Sequence, residues 1–200
     1  MSDTRRDVLK NIAMAVTVAA GVSAVDAQHV HKAIGDVKAK NAGAYKPKML
    51  NAHEYATVRK LAEIIIPADD VSGSALEAGA PDFIDLIAAN NEDIGTQITG
   101  GIAWLDRAME KRTPGGKAFL DATPAEQTAF LDVIAFRKNS TPETQYGIVF
   151  FDWIRRLTVD AFYTSPIGTQ DVGYLGNKGM TTFQVPVAAL QYALKKSGLG

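Results

Sequence analysis

The sequence predicts an all-α fold, an irregular helical bundle with a long Gly-rich C-terminal loop. Helix-start signals recur along the chain, and each precedes apolar residues spaced three and four apart, as one face of a helix requires. No hairpin signal and no alternating apolar–polar segment appears before residue 164, so the sequence does not favour a sheet. After residue 164 the composition becomes rich in glycine and nearly free of charge, which indicates a loop.

The first predicted helix of the bundle begins after Asn51. Asn51 and Glu54 have capping-box spacing, and Pro67 ends the helix because proline lacks the N–H that a helix interior needs. The apolar stripe of this helix consists of Tyr55, Val58, Leu61, Ala62 and Ile65. A polar loop follows over 69–79, and Pro81 suits the first turn of a second, short helix. The residues predicted to be buried there are Phe83, Ile84 and Ile87.

A third helix is predicted over 93–111 from apolar residues at helical spacing. These are Ile94, Ile98, Ile102, Leu105 and Met109. Gly100 and Gly101 inside it either weaken the helix or mark a close crossing with another helix. A second capping box, from Thr123 to Glu126 with proline at its first helical position, starts a fourth helix. Its predicted core residues are Phe130, Leu131 and Ile134.

The last long helix is predicted around the longest apolar run, 148–162, with Thr141-Pro142-Glu143 as its start signal. The Gly-rich stretch 164–179 follows. It is too polar for a core element, and a long ordered loop of this kind is usually functional or lies against another surface. Residues 186–195 are predicted to form a short closing helix.

The N-terminus carries the pattern of an export signal. Arg5-Arg6 lies in a Thr-Arg-Arg-x-Val-Leu-Lys frame with Leu9 and Lys10, ahead of the uncharged stretch 12–25. This frame is close to the twin-arginine export pattern, a route that carries proteins already folded. Small residues ending at Ala27 predict cleavage after that residue. We therefore expect the protein to work in the periplasm.

The chain is predicted to divide into three segments. They are a twin-arginine signal peptide over 1–27, a flexible N-terminal arm over 28–50 without a core, and a helical domain over 51–200. The apolar stretch of the first segment is shorter than the roughly 20 residues that a spanning helix needs, which favours a cleaved signal over an uncleaved anchor. General secretion is the alternative export route.

Composition excludes several classes of function. The 21 basic and 22 acidic residues give a net charge of −1, which is no electrostatic footprint for nucleic acid. The absence of cysteine excludes disulfides, thiolate metal sites, iron–sulfur clusters, covalent c-type haem and a cysteine nucleophile. An exported protein without disulfides must be held together by its core or by a partner, which is a first indication of a subunit.

The remaining motifs predict no catalytic, cofactor or metal site in this chain. Gly173, Gly176 and Gly179 follow a helix and lack the spacing of a phosphate-binding loop. The histidines have neither the converging ligands of a metal site nor the nucleophile elbow of a hydrolase. They are His29, His31 and His53.

Two carboxylate pairs, Asp69-Asp70 and Asp82 with Asp85, are the raw material of acid–base chemistry but have structural explanations. The first pair follows a proline-terminated helix, where turn-forming aspartate is expected, and Asp82 lies in a helical first turn, where negative charge is favourable. The late aromatic residues are predicted to pack the bundle rather than to line a flavin or haem pocket. They are Phe150, Phe151, Trp153, Phe162 and Tyr163.

Several stretches together resemble the small subunit (subunit 3, or gamma) of the gluconate 2-dehydrogenase type of membrane-associated oxidoreductase. The twin-arginine start matches, as do 61–70 and 73–85, followed by Thr164-Ser165-Pro166-Ile167-Gly168 and Gly173-Tyr174-Leu175-Gly176-Asn177. The order and spacing of these pieces cover most of 51–183. Gln184-Val185-Pro186 departs from the family pattern, which has a glycine beside the proline.

The resemblance implies a non-catalytic subunit without a cofactor of its own. In such families a large FAD-containing flavoprotein of the glucose-methanol-choline oxidoreductase class oxidises a sugar, sugar acid, alditol or glycoside. Electrons then pass to a c-type cytochrome with haem, often a third subunit. The small subunit supplies the export signal for the large one and assists its folding or stability. The two late motifs look most like relatives paired with glycoside or sugar 3-dehydrogenases.

Two loops are expected to lie against the flavoprotein. The candidate contact residues are Pro67, Asp69, Asp70 and Pro81 in the first loop, and Thr164, Ser165, Ile167, Gly168, Gly173, Tyr174, Gly176 and Asn177 in the second. The complex would lie in the periplasm or rest on the inner membrane through its cytochrome. The alternatives are an exported helical binding or structural protein without a redox partner, and a free-standing exported enzyme.

Overall fold

The computed structural model describes residues 24–41, 43–113, 115–173 and 185–197. In these ranges the chain forms eight α-helices and no strand, so the all-α prediction is confirmed. The helices are α1 (Ala24–Lys40), α2 (Ala52–Ile65), α3 (Ala80–Asn90), α4 (Glu92–Glu110), α5 (Pro124–Ile134), α6 (Gln145–Tyr163), α7 (Pro166–Asp171) and α8 (Val187–Ser197). Short 3₁₀ turns occupy Phe119–Asp121 and Arg137–Asn139. Among the described helices, none is both long and apolar enough to cross a membrane.

Helix α3 lies at the centre of the bundle. It contacts α1, α2, α4 and α6, and residues 80–88 are all buried. The predicted proline in its first turn, Pro81, is present and buried. Because α3 is surrounded, its carboxylates Asp82 and Asp85 are also buried and require partners inside the fold.

Local start signals are confirmed for α2 and α5. Asn51 and Glu54 exchange both bonds of a capping box at 2.9 Å, and the Thr123–Glu126 box is likewise closed. Helix α6 starts later than predicted. Thr141 and Thr144 bond to each other, with the Thr141 N–H donating to Thr144 Oγ1 at 2.9 Å, and the helix begins at Gln145.

Helices α4 and α6 interlock at two glycines, so of the two explanations for Gly100 and Gly101 the close crossing is the one that the structure supports. A Cβ atom added to Gly101 of α4 would overlap the Phe150 ring of α6. Reciprocally, a Cβ added to Gly147 of α6 would overlap the Trp104 ring of α4. Each helix therefore receives an aromatic ring of the other at a position where only glycine leaves room.

The flexible arm predicted for 28–50 is wrong over its first part. Residues up to Lys40 continue helix α1, and Ala27, Val30 and Ile34 join the hydrophobic core. These three lie at helical spacing, but polar and basic residues between them obscured the pattern in the sequence.

The long Gly-rich loop predicted from residue 164 is not confirmed. Its first part forms helix α7, with Ser165 as N-cap and Pro166 at the first helical position. Residues 174–184 lie outside the described part of the chain. The closing helix predicted over 186–195 is present as α8, and its side chains are all exposed.

Candidate partner interface

The buried carboxylate of Asp85 fastens the segment between α1 and α2 to the core. It accepts a hydrogen bond from the Tyr45 hydroxyl at 2.7 Å, and others from the backbone N–H groups of Lys48, Met49 and Leu50 at 2.7, 3.1 and 2.9 Å. Partial burial and the adjacent carboxylate raise the pKa of Tyr45 well above its ordinary value, so its hydroxyl stays a donor. Four donors converge on this carboxylate, which gives it a structural role.

Asp82, one helical turn earlier, connects α3 to two further helices. Its carboxylate forms an ion pair with Lys38 of α1 at 2.7 Å and accepts a hydrogen bond from the Tyr55 hydroxyl of α2. Burial and the Asp82 carboxylate raise the pKa of Tyr55. The carboxylate pair that could have suggested acid–base chemistry therefore holds helices together.

The predicted contact residues of the first loop divide into exposed and buried ones. Pro67, Asp69 and Asp70 are exposed, whereas Pro81 is buried in α3. Asp69 accepts hydrogen bonds from the backbone N–H groups at 71 and 72, both at 2.8 Å, and these bonds lower its pKa. The loop therefore has a fixed turn whose surface is accessible, while Pro81 acts inside the fold.

The Thr164–Gly168 motif forms the corner between α6 and α7. Ser165 Oγ accepts from the Gly168 N–H at 3.1 Å and donates to the Phe162 carbonyl at 2.6 Å. Gly168 is buried so closely that a Cβ there would overlap the same carbonyl. Thr164 Oγ1 lies 3.1 Å from His31 Nε2 of α1.

The remaining predicted residues of the second loop and the signal are only partly within the described chain. Ile167 is half-buried against the core, and Gly173 is exposed with a φ of 65°. Outside the described residues lie Arg5, Arg6, Leu9, Lys10, Tyr174, Gly176 and Asn177. Partner contact through the exposed loop positions stays a prediction.

Helix α6 carries an exposed apolar row that the sequence did not reveal. Tyr146, Val149 and Tyr163 are 39%, 49% and 43% exposed, and the half-buried Trp153 lies in the same row. We call these four residues the α6 stripe. The Arg156 guanidinium lies over the Trp153 ring, 5.3 Å from its centroid. The prediction that Trp153 and Tyr163 pack in the core is wrong, because only the other late aromatic residues are fully packed there.

A basic rim borders the α6 stripe beside Val149 and Trp153. Asp152 is shared by two arginines, with Arg155 at 2.7 Å and Arg137 at 3.4 Å. Nearby, the Lys138 ammonium lies 5.3 Å from the ring centroid of the exposed Phe136. This group of four side chains contains one carboxylate, Asp152, and three cations, Arg137, Lys138 and Arg155.

A cleft of about 490 Å³ opens between this rim and the stripe. Its walls include Arg137, Ile148, Val149, Asp152 and Trp153. Exposed apolar area of this kind marks interaction surfaces, and tryptophan, tyrosine and arginine are the residues that dominate binding energy at protein interfaces. The arrangement can therefore anchor another protein through a few aromatic contacts.

His31 and His53 serve contacts between helices, whereas His29 is exposed. His53 Nε2 of α2 lies 2.7 Å from Asp106 Oδ2 of α4. His31 is half-buried, and this burial lowers its pKa. No group of three or more histidine, aspartate or glutamate residues with metal-ligand geometry occurs in the part of the chain that the structure describes.

In the described residues, buried carboxylates join the helices of the bundle, and a row of aromatic side chains on α6 remains exposed. These features are typical of a small helical protein that binds another protein. The comparison with known families is more specific. The family described as gluconate 2-dehydrogenase subunit 3 matches residues 52–180, which extend from α2 through α7. The chain therefore belongs to that family and is a small subunit of a dehydrogenase complex. No curated protein and no solved structure matches it.

Proposed function

We propose that this chain is the non-catalytic subunit that binds, stabilises and exports a flavoprotein dehydrogenase. The partner is a large subunit of the glucose-methanol-choline class, which holds FAD and oxidises a CH–OH group of a sugar, sugar acid or glycoside. A c-type cytochrome would accept the electrons, and the complex would work in the periplasm. The observation that carries the proposal is the uncovered α6 stripe of a chain that belongs to a subunit family.

The α6 stripe supports docking because it places two tyrosines, a valine and a tryptophan on one side of one helix, with part of each side chain accessible. Trp153 is held in place by Arg156 above its ring, so little side-chain entropy remains to be lost on binding. A specific interface covers roughly 800 Å² on each partner, more than one helix face supplies. The exposed turn around Asp69 is the second surface that we assign to the flavoprotein.

The export role is supported by Arg5-Arg6 and by the way the bundle is held together. A twin-arginine passenger must fold in the cytoplasm, where disulfides do not persist. This chain has no cysteine and is held by its apolar core and by the buried contacts of Asp82 and Asp85. It therefore has no need of an oxidising compartment before export.

Two variants that add the same charge test the docking surface. Val149→Glu places a carboxylate in the α6 stripe, whereas Ala103→Glu places one at an exposed position of α4. We expect Val149→Glu to reduce the flavoprotein recovered with the tagged chain at least tenfold, and Ala103→Glu to leave it unchanged. Circular dichroism checks that both variants fold.

The readout is the flavin absorption spectrum of the purified complex together with the mass of the co-purified protein. Recovery of the flavoprotein with Val149→Glu at the wild-type level would show that the stripe is not the docking surface. An isolated, colourless wild-type chain would favour the alternative, an exported helical binding protein without a redox partner.

A further inference from the structure

We infer that the signal peptide is removed ahead of the buried face of helix α1, and that the bond after Ala27, where the sequence pattern predicted cleavage, is protected. The inference rests on the proposed export through the twin-arginine route. Its basis is the placement of Ala27 within α1, where its side chain is fully buried.

Burial of one face of α1 is the first observation. Ala27 is fully buried, and Val30 and Ile34 are 2% and 5% exposed. The three residues lie at i, i+3 and i+7, which places them on one side of the helix. That side faces α3, the central helix of the bundle.

Two polar contacts fix the same face of α1 at its middle and at its end. His31 Nε2 lies 3.1 Å from Thr164 Oγ1 at the end of α6, and its ring lies 5.3 Å from that of Phe83. Seven residues later, the Lys38 ammonium is 2.7 Å from the Asp82 carboxylate. Helix α1 is therefore attached to both α3 and α6.

Proteolysis requires an extended stretch of backbone on both sides of the cleaved bond, and a packed helix offers it only through local opening. A passenger of the twin-arginine route reaches the signal peptidase already folded. The Ala27–Gln28 bond is then inside a packed helix, whose opening would expose Ala27 and Val30 to water. A second small-x-small pattern, Val22-Ser23-Ala24, lies ahead of the buried residues Ala27, Val30 and Ile34.

The test is the N-terminus of the chain purified from the periplasm, read by N-terminal sequencing and intact mass. We expect a start at Val25 or earlier. A start at Gln28 would overturn the inference and leave the export proposal intact. A full-length chain confined to the cytoplasm would overturn the export proposal and the inference with it.

A variant with weakened packing of α1 distinguishes two reasons why the Ala27–Gln28 bond would stay uncut. The bond is either protected by the packing of the helix or disfavoured by the sequence preference of the signal peptidase. Val30→Ala combined with Ile34→Ala removes buried apolar groups of α1 and leaves the core of α2 to α7 in place. Chains that start at Gln28 should then appear among the exported protein. Gly35→Ala, at an exposed position of the same helix with open space around it, is the matched control and should leave the N-terminus unchanged. If the loosened variant still starts only at Val25, packing is not what protects the bond.

Discussion

Replacing Gly101 with alanine should destabilise the bundle, although alanine is the better helix former. In an exposed helix the substitution gains about 1 kcal/mol. Here the new methyl group would overlap the ring of Phe150, which is fully buried. Overpacking of a core costs about 1–3 kcal/mol, and overlap with a confined ring favours the upper part of that range. The expected net loss in the free energy of unfolding is about 1–2 kcal/mol.

The assay is thermal or urea unfolding followed by circular dichroism, with Gly35→Ala as the matched control. For a domain of this size, 1 kcal/mol corresponds to about 2–4 °C in Tm, so Gly101→Ala should lower Tm by about 2–8 °C. Gly35 lies on the exposed side of α1 with nothing near a new Cβ, and its replacement should raise Tm by about 2–4 °C. Adding Phe150→Leu to Gly101→Ala should recover part of the loss. An equal rise in Tm for both single variants would refute the proposed crossing of α4 and α6.

Three further substitutions test contacts elsewhere in the fold. Asp85→Asn keeps the shape of the side chain but turns an NH2 donor toward converging donors, and should lower the free energy of unfolding in urea by about 2–4 kcal/mol; a loss under about 0.5 kcal/mol would contradict this role. Burial lowers the pKa of His31, so between that pKa and about 6.5 the unfolded chain binds more protons and stability falls as the pH decreases. His31→Gln should weaken this dependence, and identical slopes of stability against pH for wild type and variant would contradict it. Gly168→Ala should cost about 1–3 kcal/mol in thermal unfolding because its Cβ would overlap the Phe162 carbonyl, and an unchanged Tm would count against the tight α6–α7 corner.

The elements that sequence analysis predicted correctly are those with local causes. A capping box such as Asn51 with Glu54 is complete within four residues, and so is the proline in the first turn of α3. The crossing at Gly101 was one of two alternatives that the sequence left open, since a glycine pair inside a helical pattern either weakens the helix or marks a close approach. Its partner ring, Phe150, could not be identified because it lies far along the chain.

Helix α1 was missed because its stability comes from distant residues. Lysines and histidines make the segment appear solvated, yet Lys38 is paired with Asp82 and His31 contacts Thr164. Helix α7 had a usable local signal, the Ser165-Pro166 start, which was obscured by the surrounding glycines.

The α6 stripe could not be predicted from the sequence. The run 148–162 has more apolar positions than one buried face requires, but periodicity alone does not tell which of them another helix covers. Only the packing of α4 and α5 against α6 shows that Phe150 is enclosed while Val149 and Tyr163 remain exposed. The surplus of apolar residues was the available signal for an interface.

The location of the flavoprotein partner tests the central claim most directly. Arg5-Arg6→Lys-Lys retains the charge of the signal but removes the arginine pair that the export machinery reads. Dehydrogenase activity and flavoprotein mass are measured in periplasmic and cytoplasmic fractions of cells carrying either form. We predict that in the variant neither protein reaches the periplasm, and that both remain in the cytoplasm. A fully active flavoprotein in the periplasm of the Lys-Lys cells would contradict the proposed escort role.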